Sequence, residues 1–301
     1  MLQRELDLPP RHIYPPDPWR LVERRFYPQR LAQFETLFSL SNGYLGLRGN
    51  FEEGAPVFQN ATMVNGFHET WPIVYGEEAH GFAKTGQTIL NVTDAKIIKL
   101  YVDDEPFYLP TASLVEYERA LDMRTGTLDR TILWETNAGK RVSIKSRRLV
   151  SLEHRHLAAI EYQVTVQNAE APVIISSKLV CDAEAGTEDD DDPRVARGFA
   201  GRVLQPRHGF TDGHRIALGH QACRSGMTLG CAIDHVIETE CPHSCEVSRS
   251  EDEGKLVLIA QAKPGKPIRL VKYMSYHTSR RAPAKELCER SGRTLDRAVD
   301  E

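Results

Sequence analysis

The sequence lacks the features that mark membrane and nucleic-acid-binding proteins. No stretch approaches the ~20 consecutive apolar residues that a membrane-spanning helix requires, and we expect no membrane partner. The 38 basic and 42 acidic residues give a net charge of -4, so the chain has no net positive charge to attract nucleic acid or an anionic membrane surface. With 41% hydrophobic and 27% charged residues among 301, the composition is typical of a folded globular chain. The length fits two domains or one large all-β domain.

Cysteine is sparse, and no export signal is visible. Six cysteines in 301 residues are too few for a disulfide framework. A secretory signal carries a basic start and an apolar stretch, whereas this chain begins with MLQRELDLPP. We therefore expect reduced thiols and a cytoplasmic location.

Short segments with alternating hydrophobicity follow a proline-rich start. Five prolines in residues 1–19 predict an extended N-terminal arm. At 160–167, apolar and polar residues alternate at every position, which is typical of a half-buried strand. Asn137-Ala138-Gly139 separates two such runs and predicts a hairpin. Short strands joined by turns favour an antiparallel sandwich. Further strands are predicted at 20–27, 34–40, 96–102, 113–121, 127–135, 140–147, 172–180, 215–222, 228–238, 255–261 and 267–275.

The last twenty residues change character. Ala284, Leu287 and Cys288 have helical spacing, and Leu295 continues the stripe. We predict a helix here whose apolar stripe has nothing to cover it, as at the start of a linker to a further domain.

One long stretch carries a family resemblance. Residues 34–53 read FETLFSLSNGYLGLRGNFEE and resemble the opening signature of the glycoside hydrolase family 65 N-terminal domain, found in maltose, trehalose and kojibiose phosphorylases. Three further motifs agree in order, at 64–77, 91–107 and 114–128. The resemblance covers about residues 20–280.

The resemblance implies a fold and a division of labour. It implies an all-β, large antiparallel super-sandwich similar to mutarotase-like domains over 20–280, with a short C-terminal helix. Residues 281–301 would begin the linker to an (α/α)6 barrel that carries the catalytic Glu. The parent enzyme would cleave an α-glucosyl disaccharide with inorganic phosphate, need no cofactor, and form a homodimer. No catalytic residue is carried over to this chain, which we expect to be inactive alone.

Two groups of residues are candidates for contact with that barrel and its substrate. Residues 65–82 are rich in aromatics and turn formers, so we interpret them as a loop that reaches the sugar, or else as a packed surface loop or subunit contact. The glycine-spaced segment 42–49 is the interdomain candidate, with Arg48 pairing a carboxylate of the barrel. The alternative interpretation, which we favour, is that its glycines only supply positive φ or allow close packing of strands. The substrate-side candidates are Phe67, His68, Glu69, Trp71 and Tyr75, and the interdomain candidates are Asn42, Tyr44 and Arg48.

Other polar residues are interpreted as structural. Glu52 and Glu53 are expected to be solvated, and so is the acidic run 189–192. Cys241 and Cys245 lack a second tight pair, so no zinc or other metal site is predicted.

Two histidines, His154 and His156, are expected on the exposed face of a strand.

Two alternatives to a supporting domain remain open. One is a stand-alone carbohydrate-binding module. The other is a mutarotase-like enzyme, which needs a His acid and a Glu base; the best pair is His235 with Glu238 or Glu240. The sequence leaves open which disaccharide is cleaved, and whether by phosphate or by water.

Overall fold

A computed structural model describes residues 10–77, 79–182 and 201–300. Within them the chain forms eighteen β-strands, a short 3-10 helix at Pro28–Arg30 and two α-helices, α1 (Leu31–Leu37) and α2 (Ala284–Asp300). Neither α-helix is long and apolar enough to cross a bilayer. The all-β prediction with a C-terminal helix is confirmed.

The strands form three antiparallel sheets. In spatial order, the nine-stranded sheet consists of β1 (Arg20–Glu23), β8 (Ser113–Asp122), β9 (Thr127–Glu135), β10 (Arg141–Val150), β11 (Leu157–Val166), β18 (Ile268–Ser279), β15 (Thr228–Thr239), β14 (Arg215–Ala222) and β13 (Leu204–Asp212). The five-stranded sheet consists of β16 (His243–Arg249), β17 (Glu253–Ala262), β12 (Ala171–Val180), β6 (Ile98–Val102) and β7 (Glu105–Pro106). The four-stranded sheet consists of β2 (Leu40–Ser41), β3 (Leu45–Leu47), β4 (Thr62–Pro72) and β5 (Thr85–Asn91).

Alternation in the sequence becomes burial between the sheets. On β11, Ile160, Tyr162 and Val164 are fully buried while their neighbours are half-exposed. On β12 and β17, Ile175 and Leu258 contribute to the same apolar core. Each such side chain stabilises the fold by about 1.5–3 kcal/mol.

Residues 34–40, predicted as a strand, lie mostly in α1. Phe34 and Phe38 are one helical turn apart, with ring centroids separated by 5.7 Å, and both are buried. A short apolar run fits a buried helix as well as a strand. Tyr14 of the N-terminal arm stacks on Phe34 at 4.2 Å.

Several strands escaped the sequence prediction, among them β4, β13 and β16. Residues 65–72, expected in a loop, belong to the eleven-residue β4. The edge strands β13 and β16 are mostly exposed and polar, so they lack the apolar alternation that reveals an inner strand.

The apolar stripe of α2 is covered, contrary to the prediction. Leu295 and Cys288 pack against Leu157, Ala217 and Ala232 of the nine-stranded sheet. Close approach depends on a glycine of β15, because a Cβ at Gly230 would lie 2.4 Å from the carbonyl carbon of Leu287. The helix is therefore an integral part of this fold.

Candidate functional site

The β2–β3 turn is tied to the connection between β10 and β11. The Asn42 side-chain oxygen accepts hydrogen bonds from the backbone N–H groups of Tyr44 at 3.0 Å and Leu45 at 2.9 Å, which closes an Asx turn. Its amide nitrogen donates to the carbonyl oxygens of Ser151 at 2.6 Å and Arg155 at 3.0 Å. Gly43 supplies the positive φ of 84° that the turn needs.

Tyr44 carries this connection towards a pair of histidines. Its ring meets the His156 ring edge-on at 4.6 Å, and the guanidinium of Arg155 lies 4.7 Å from its centroid. The Tyr44 hydroxyl donates to the carbonyl of Tyr276 at 3.3 Å. The turn, the connection and β18 thus meet at one place.

The rings of His156 and His277 stack with centroids 3.9 Å apart and planes 14° from parallel. Nδ1 of His156 lies 2.9 Å from the carbonyl oxygen of Tyr276, so this nitrogen is the donor. Nε2 of His277 lies 3.0 Å from the hydroxyl of Thr294, which itself donates to the carbonyl of Arg290. His277 must therefore donate through Nε2, and its tautomer is fixed.

These residues line a cavity of about 750 Å³ between the β2–β3 turn and α2, called the histidine cleft below. Its lining includes Asn42, Tyr44, Arg155, His156, His277 and Arg290. An adjoining cavity of about 270 Å³ shares Arg155 and both histidines and adds Thr294 and Arg297 from α2.

Positive charge dominates the histidine cleft. Burial above all, and then the neighbouring His156 and the cations of Arg290 and Arg155, together lower the pKa of His277 to about 3. Burial also lowers the pKa of His156. Both imidazoles are therefore neutral at pH 7, surrounded by permanent cations.

The structure brings two of the three interdomain candidates together. Asn42 and Tyr44 line the histidine cleft, whereas Arg48 lies elsewhere, with its Nε 3.2 Å from the fully buried carboxylate of Glu35. Glu35 also accepts from the backbone N–H groups of Phe58 and Gln59. The carboxylate partner of Arg48 is thus inside this chain.

The expectation that His154 and His156 lie on the exposed face of a strand was wrong. His154 and His156 lie in the β10–β11 connection, and His156 is half-buried by its ring and backbone contacts.

The substrate-side candidates divide between the interior and the surface. Phe67 and Glu69 are fully buried, and Glu69 accepts from the backbone N–H groups of Arg224 at 2.9 Å and Ser225 at 2.5 Å. His68 is half-buried, with Nδ1 2.9 Å from the carbonyl of Gly66. Strand alternation, which a loop would not impose, explains this division.

Trp71 and Tyr75 lie towards the other end of β4. Trp71 packs on Gly86, where a Cβ would lie 2.3 Å from the indole ring. Tyr75 contacts Phe82 with ring centroids 4.7 Å apart. The rings of Tyr75 and Phe82 belong to the hairpin tip, residues 73–77 and 79–84, where Val74 is 77% exposed. Seven residues of strand separate this tip from Asn65 at the cleft, about 23 Å at 3.3 Å per residue.

Comparison with known proteins identifies the family. The model described as "Glycosyl hydrolase family 65, N-terminal domain" matches residues 21–301. The chain belongs to this family.

Relatives and solved structures agree with that assignment. Alpha,alpha-trehalose phosphorylase of Thermoanaerobacter brockii is 38% identical over 272 residues, which are 89% of this chain and 35% of that protein. Kojibiose phosphorylase of Caldanaerobacter subterraneus subsp. tengcongensis is 30% identical over 161 residues, 54% of this chain and 20% of that protein. A solved human-microbiome protein assigned as a kojibiose phosphorylase has a TM-score of 0.81 at 18% identity, over 96% of this chain and 36% of that one. This last likeness shows the fold. The chain spans about a third of the length of curated relatives that are 38% identical to it.

Within this family 65 domain, the expectation that Glu52 and Glu53 are solvated was wrong. Arg148 donates to Glu52 at 2.6 Å, and Arg130 donates to both oxygens of Glu53 at 2.8 and 2.6 Å. Burial alone would raise the pKa of Glu52, but Arg130 and Arg148 lower it to about 2. The missed signal was on the strands, because Arg130 and Arg148 occupy inward positions of the alternation on β9 and β10.

The mutarotase-like pair does not assemble in this family 65 domain. His235 is buried, with Nε2 2.8 Å from the Ser177 hydroxyl and Nδ1 2.9 Å from the His214 carbonyl. Glu238 pairs with Arg269 and Glu240 with Lys266. No described contact joins His235 to either glutamate, so this geometry gives no acid–base pair.

Two cysteines with short spacing, Cys241 and Cys245, do not gather further metal ligands among the described residues. Cys241 is buried and Cys245 half-buried, and the described residues group neither of them with other ligands. A different trio, Cys181, His220 and Asp252, has donor atoms within 4.8 Å of one another. Arg202 already occupies both oxygens of Asp252. The acidic run 189–192 lies outside the described residues.

Proposed function

We propose that this chain is the non-catalytic N-terminal domain of an enzyme resembling inverting α-glucosyl disaccharide phosphorylases. The observation that carries the proposal is the pairing of a family match over residues 21–301 with relatives about three times as long. Two of those relatives are named as trehalose and kojibiose phosphorylases. The domain would support an (α/α)6 barrel and form one wall of its active site.

Two surfaces are the proposed contacts with the rest of the enzyme. The histidine cleft lies beside α2, the helix that we propose as the start of the linker. The hairpin tip presents Tyr75 and Phe82, and sugars stack on aromatic faces. We propose that one of these two surfaces, the histidine cleft or the hairpin tip, faces the substrate pocket.

Further features of the parent enzyme are part of the same proposal. Inorganic phosphate would be a substrate, no cofactor would be needed, and the domain would contribute to a homodimer. All six cysteines are free thiols, the form that a reducing compartment maintains, which supports the cytoplasm as the location.

The test is an assay of the enzyme that the complete gene encodes, beside the 301-residue chain. With trehalose, kojibiose or maltose and inorganic phosphate, we expect release of a glucose phosphate by the complete enzyme alone. Hydrolysis to glucose without a phosphate requirement would replace phosphorolysis with a glycosidase. A complete enzyme inactive on every α-glucoside would refute the proposal.

A second candidate, a carbohydrate-binding module, is favoured by one cavity. A space of about 550 Å³ between β6, β7 and β9 is lined by Tyr101, Tyr108 and Trp134 together with Glu105 and Glu135. Aromatic faces beside carboxylates suit a sugar. Calorimetry with maltose and trehalose tests it: a saturable isotherm lost in Tyr108→Ala supports a module, and absence of heat eliminates it.

A further inference from the structure

Two of the three arginines at the histidine cleft lack a carboxylate partner among the described residues, unlike the buried Arg130 and Arg148. Among the described residues, Arg155 and Arg297 form no ion pair, and Arg290 pairs with Glu286 of its own helix. Within the part of the chain that the structure describes, Glu153 is the one carboxylate in the linings of the two adjoining cavities. Two arginines without an ion pair to any described residue, together with two neutral histidines, thus share these cavities with one described carboxylate.

The two histidines each keep one ring nitrogen in reserve. His156 donates through Nδ1 and His277 through Nε2 to partners within the fold. Nε2 of His156 and Nδ1 of His277 have no hydrogen bond to any described residue. If these nitrogens gain protons, the stack becomes a pair of donors next to three guanidinium groups.

The neighbouring guanidinium groups disfavour protonation of the two histidines, whereas an anion bound beside the rings favours it. An anion near the rings stabilises imidazolium, and arginine forks match the oxygens of phosphate bidentately. An oxyanion with two charges would therefore compensate the cleft in the way that carboxylates compensate the interior.

We propose that the histidine cleft binds a doubly charged oxyanion, specifically a phosphate group that is either free or carried on a sugar. The proposal deepens the proposed function and rests on it for the source of the phosphate. Arg155, Arg290 and Arg297 supply the charge, and Asn42, Tyr44 and Thr294 hold the histidines and the connection in place.

The first experiment is calorimetric titration of the 301-residue chain with inorganic phosphate at constant ionic strength, with sodium chloride as the balancing salt. We expect one saturable site. Arg155→Met and Arg297→Met should each weaken binding about tenfold, since each removes a charge-assisted contact. Arg293→Met is the matched control, because this exposed arginine of α2 lines neither cavity, and it should stay within about twofold.

A second readout separates a local site from general attraction to positive charge. Sulfate keeps two charges from pH 5 to 8, and because binding is coupled to protonation of the stack, its affinity should rise as pH falls. Imidazole nitrogen resonances of His156 and His277 should move towards the protonated form on titration, with those of the exposed His80, which lines neither cavity, unchanged. His277→Gln should weaken the pH dependence, because it leaves only His156 to take up a proton.

Glucose 1-phosphate and glucose distinguish the two sources of phosphate. Tighter binding of the ester than of free phosphate assigns a sugar phosphate, and equal or weaker binding assigns free phosphate. Absence of a saturable site overturns the proposal, and so does a loss of affinity in Arg293→Met equal to that in Arg155→Met. It is also overturned if an acidic segment of the longer enzyme occupies the cleft in place of phosphate. If the cleft binds phosphate but the complete enzyme is inactive, the phosphate site is supported and the proposed function is refuted. If the complete enzyme is active but the cleft does not bind phosphate, the proposed function is supported and the site is refuted.

Discussion

Two regions of this domain contain clusters of arginine, and they differ in what neutralises them. Between the sheets, Arg130 and Arg148 meet Glu52 and Glu53 at 2.6–2.9 Å. At the histidine cleft, Arg155 and Arg297 have no carboxylate partner among the described residues. The interior can tolerate charge only when it is compensated, so its cluster serves the architecture. The surface can leave charge uncompensated, so its cluster is available to a ligand or a neighbour.

The largest effect is expected from opening the interior cluster. Arg148→Met leaves Glu52 with one cation fewer and the carbonyl of Asn50 without its donor. Breaking a buried pair costs about 3–5 kcal/mol, which urea unfolding measures. Arg147→Met is the control, because its side chain is 61% exposed beside Asp129 and its loss should cost at most about 1 kcal/mol. Equal losses would show that burial does not distinguish these arginines.

The contact of α2 with the sheet gives the next effect. Gly230→Ala places a methyl group against the helix backbone and should destabilise by about 1–3 kcal/mol through overpacking. Gly292→Ala is the matched change on the helix itself, where the nearest atom outside the helix backbone is a guanidinium nitrogen of Arg215 at 3.6 Å, and it should stabilise by up to about 1 kcal/mol. Opposite signs in thermal or urea unfolding confirm the packing, and the same sign for both contradicts it.

Lys272 makes the free energy of unfolding depend on pH. Burial lowers its pKa from 10.5 to about 7, although Asp94 acts in the opposite direction. Between pH 7 and 10.5 the unfolded chain binds this proton and the folded chain does not, so stability should rise with pH across that window. The slope from one such group is at most about 1.4 kcal/mol per pH unit.

Unfolding of the wild type and Lys272→Met at several pH values from 7 to 10 isolates that slope. Lys145→Met, at an exposed position of β10, should keep the wild-type slope. A Lys272→Met slope that equals the wild type would show that Lys272 does not titrate in this range.

The smallest effect on stability is expected at the cleft. Arg155→Met removes an exposed cation without an ion pair, so the free energy of unfolding should change by no more than about 0.5 kcal/mol. The same variant should lose phosphate affinity. A stability loss as large as that of Arg148→Met would make the cleft another structural cluster.

The sequence predicted the regular parts of this fold because they follow one rule. Strands such as β11 alternate between core and surface, and that period is readable without knowledge of their partners. α1 was missed because Phe34 and Phe38 suit either period. Glu52 and Glu53 were misplaced because their burial depends on arginines of β9 and β10, far along the chain.

The histidine cleft was outside the reach of sequence reasoning for a similar reason. His156 and His277 are distant in the sequence and meet because β11 and β18 are neighbours, with Leu157 opposite Ser275. Asn42 and Tyr44 were found through a family motif, but nothing in that motif pointed to the histidines. Pairing between distant strands creates the site, and one sequence does not specify which strands pair.

The central claim is that this domain supports chemistry that it does not perform. The most direct test incubates the purified 301-residue chain with trehalose, kojibiose or maltose and phosphate, and measures glucose 1-phosphate and glucose against the complete enzyme at equal concentration. The account predicts no product from the 301-residue chain and phosphate-dependent product from the complete enzyme. Turnover of any of these sugars by the 301-residue chain alone would contradict it.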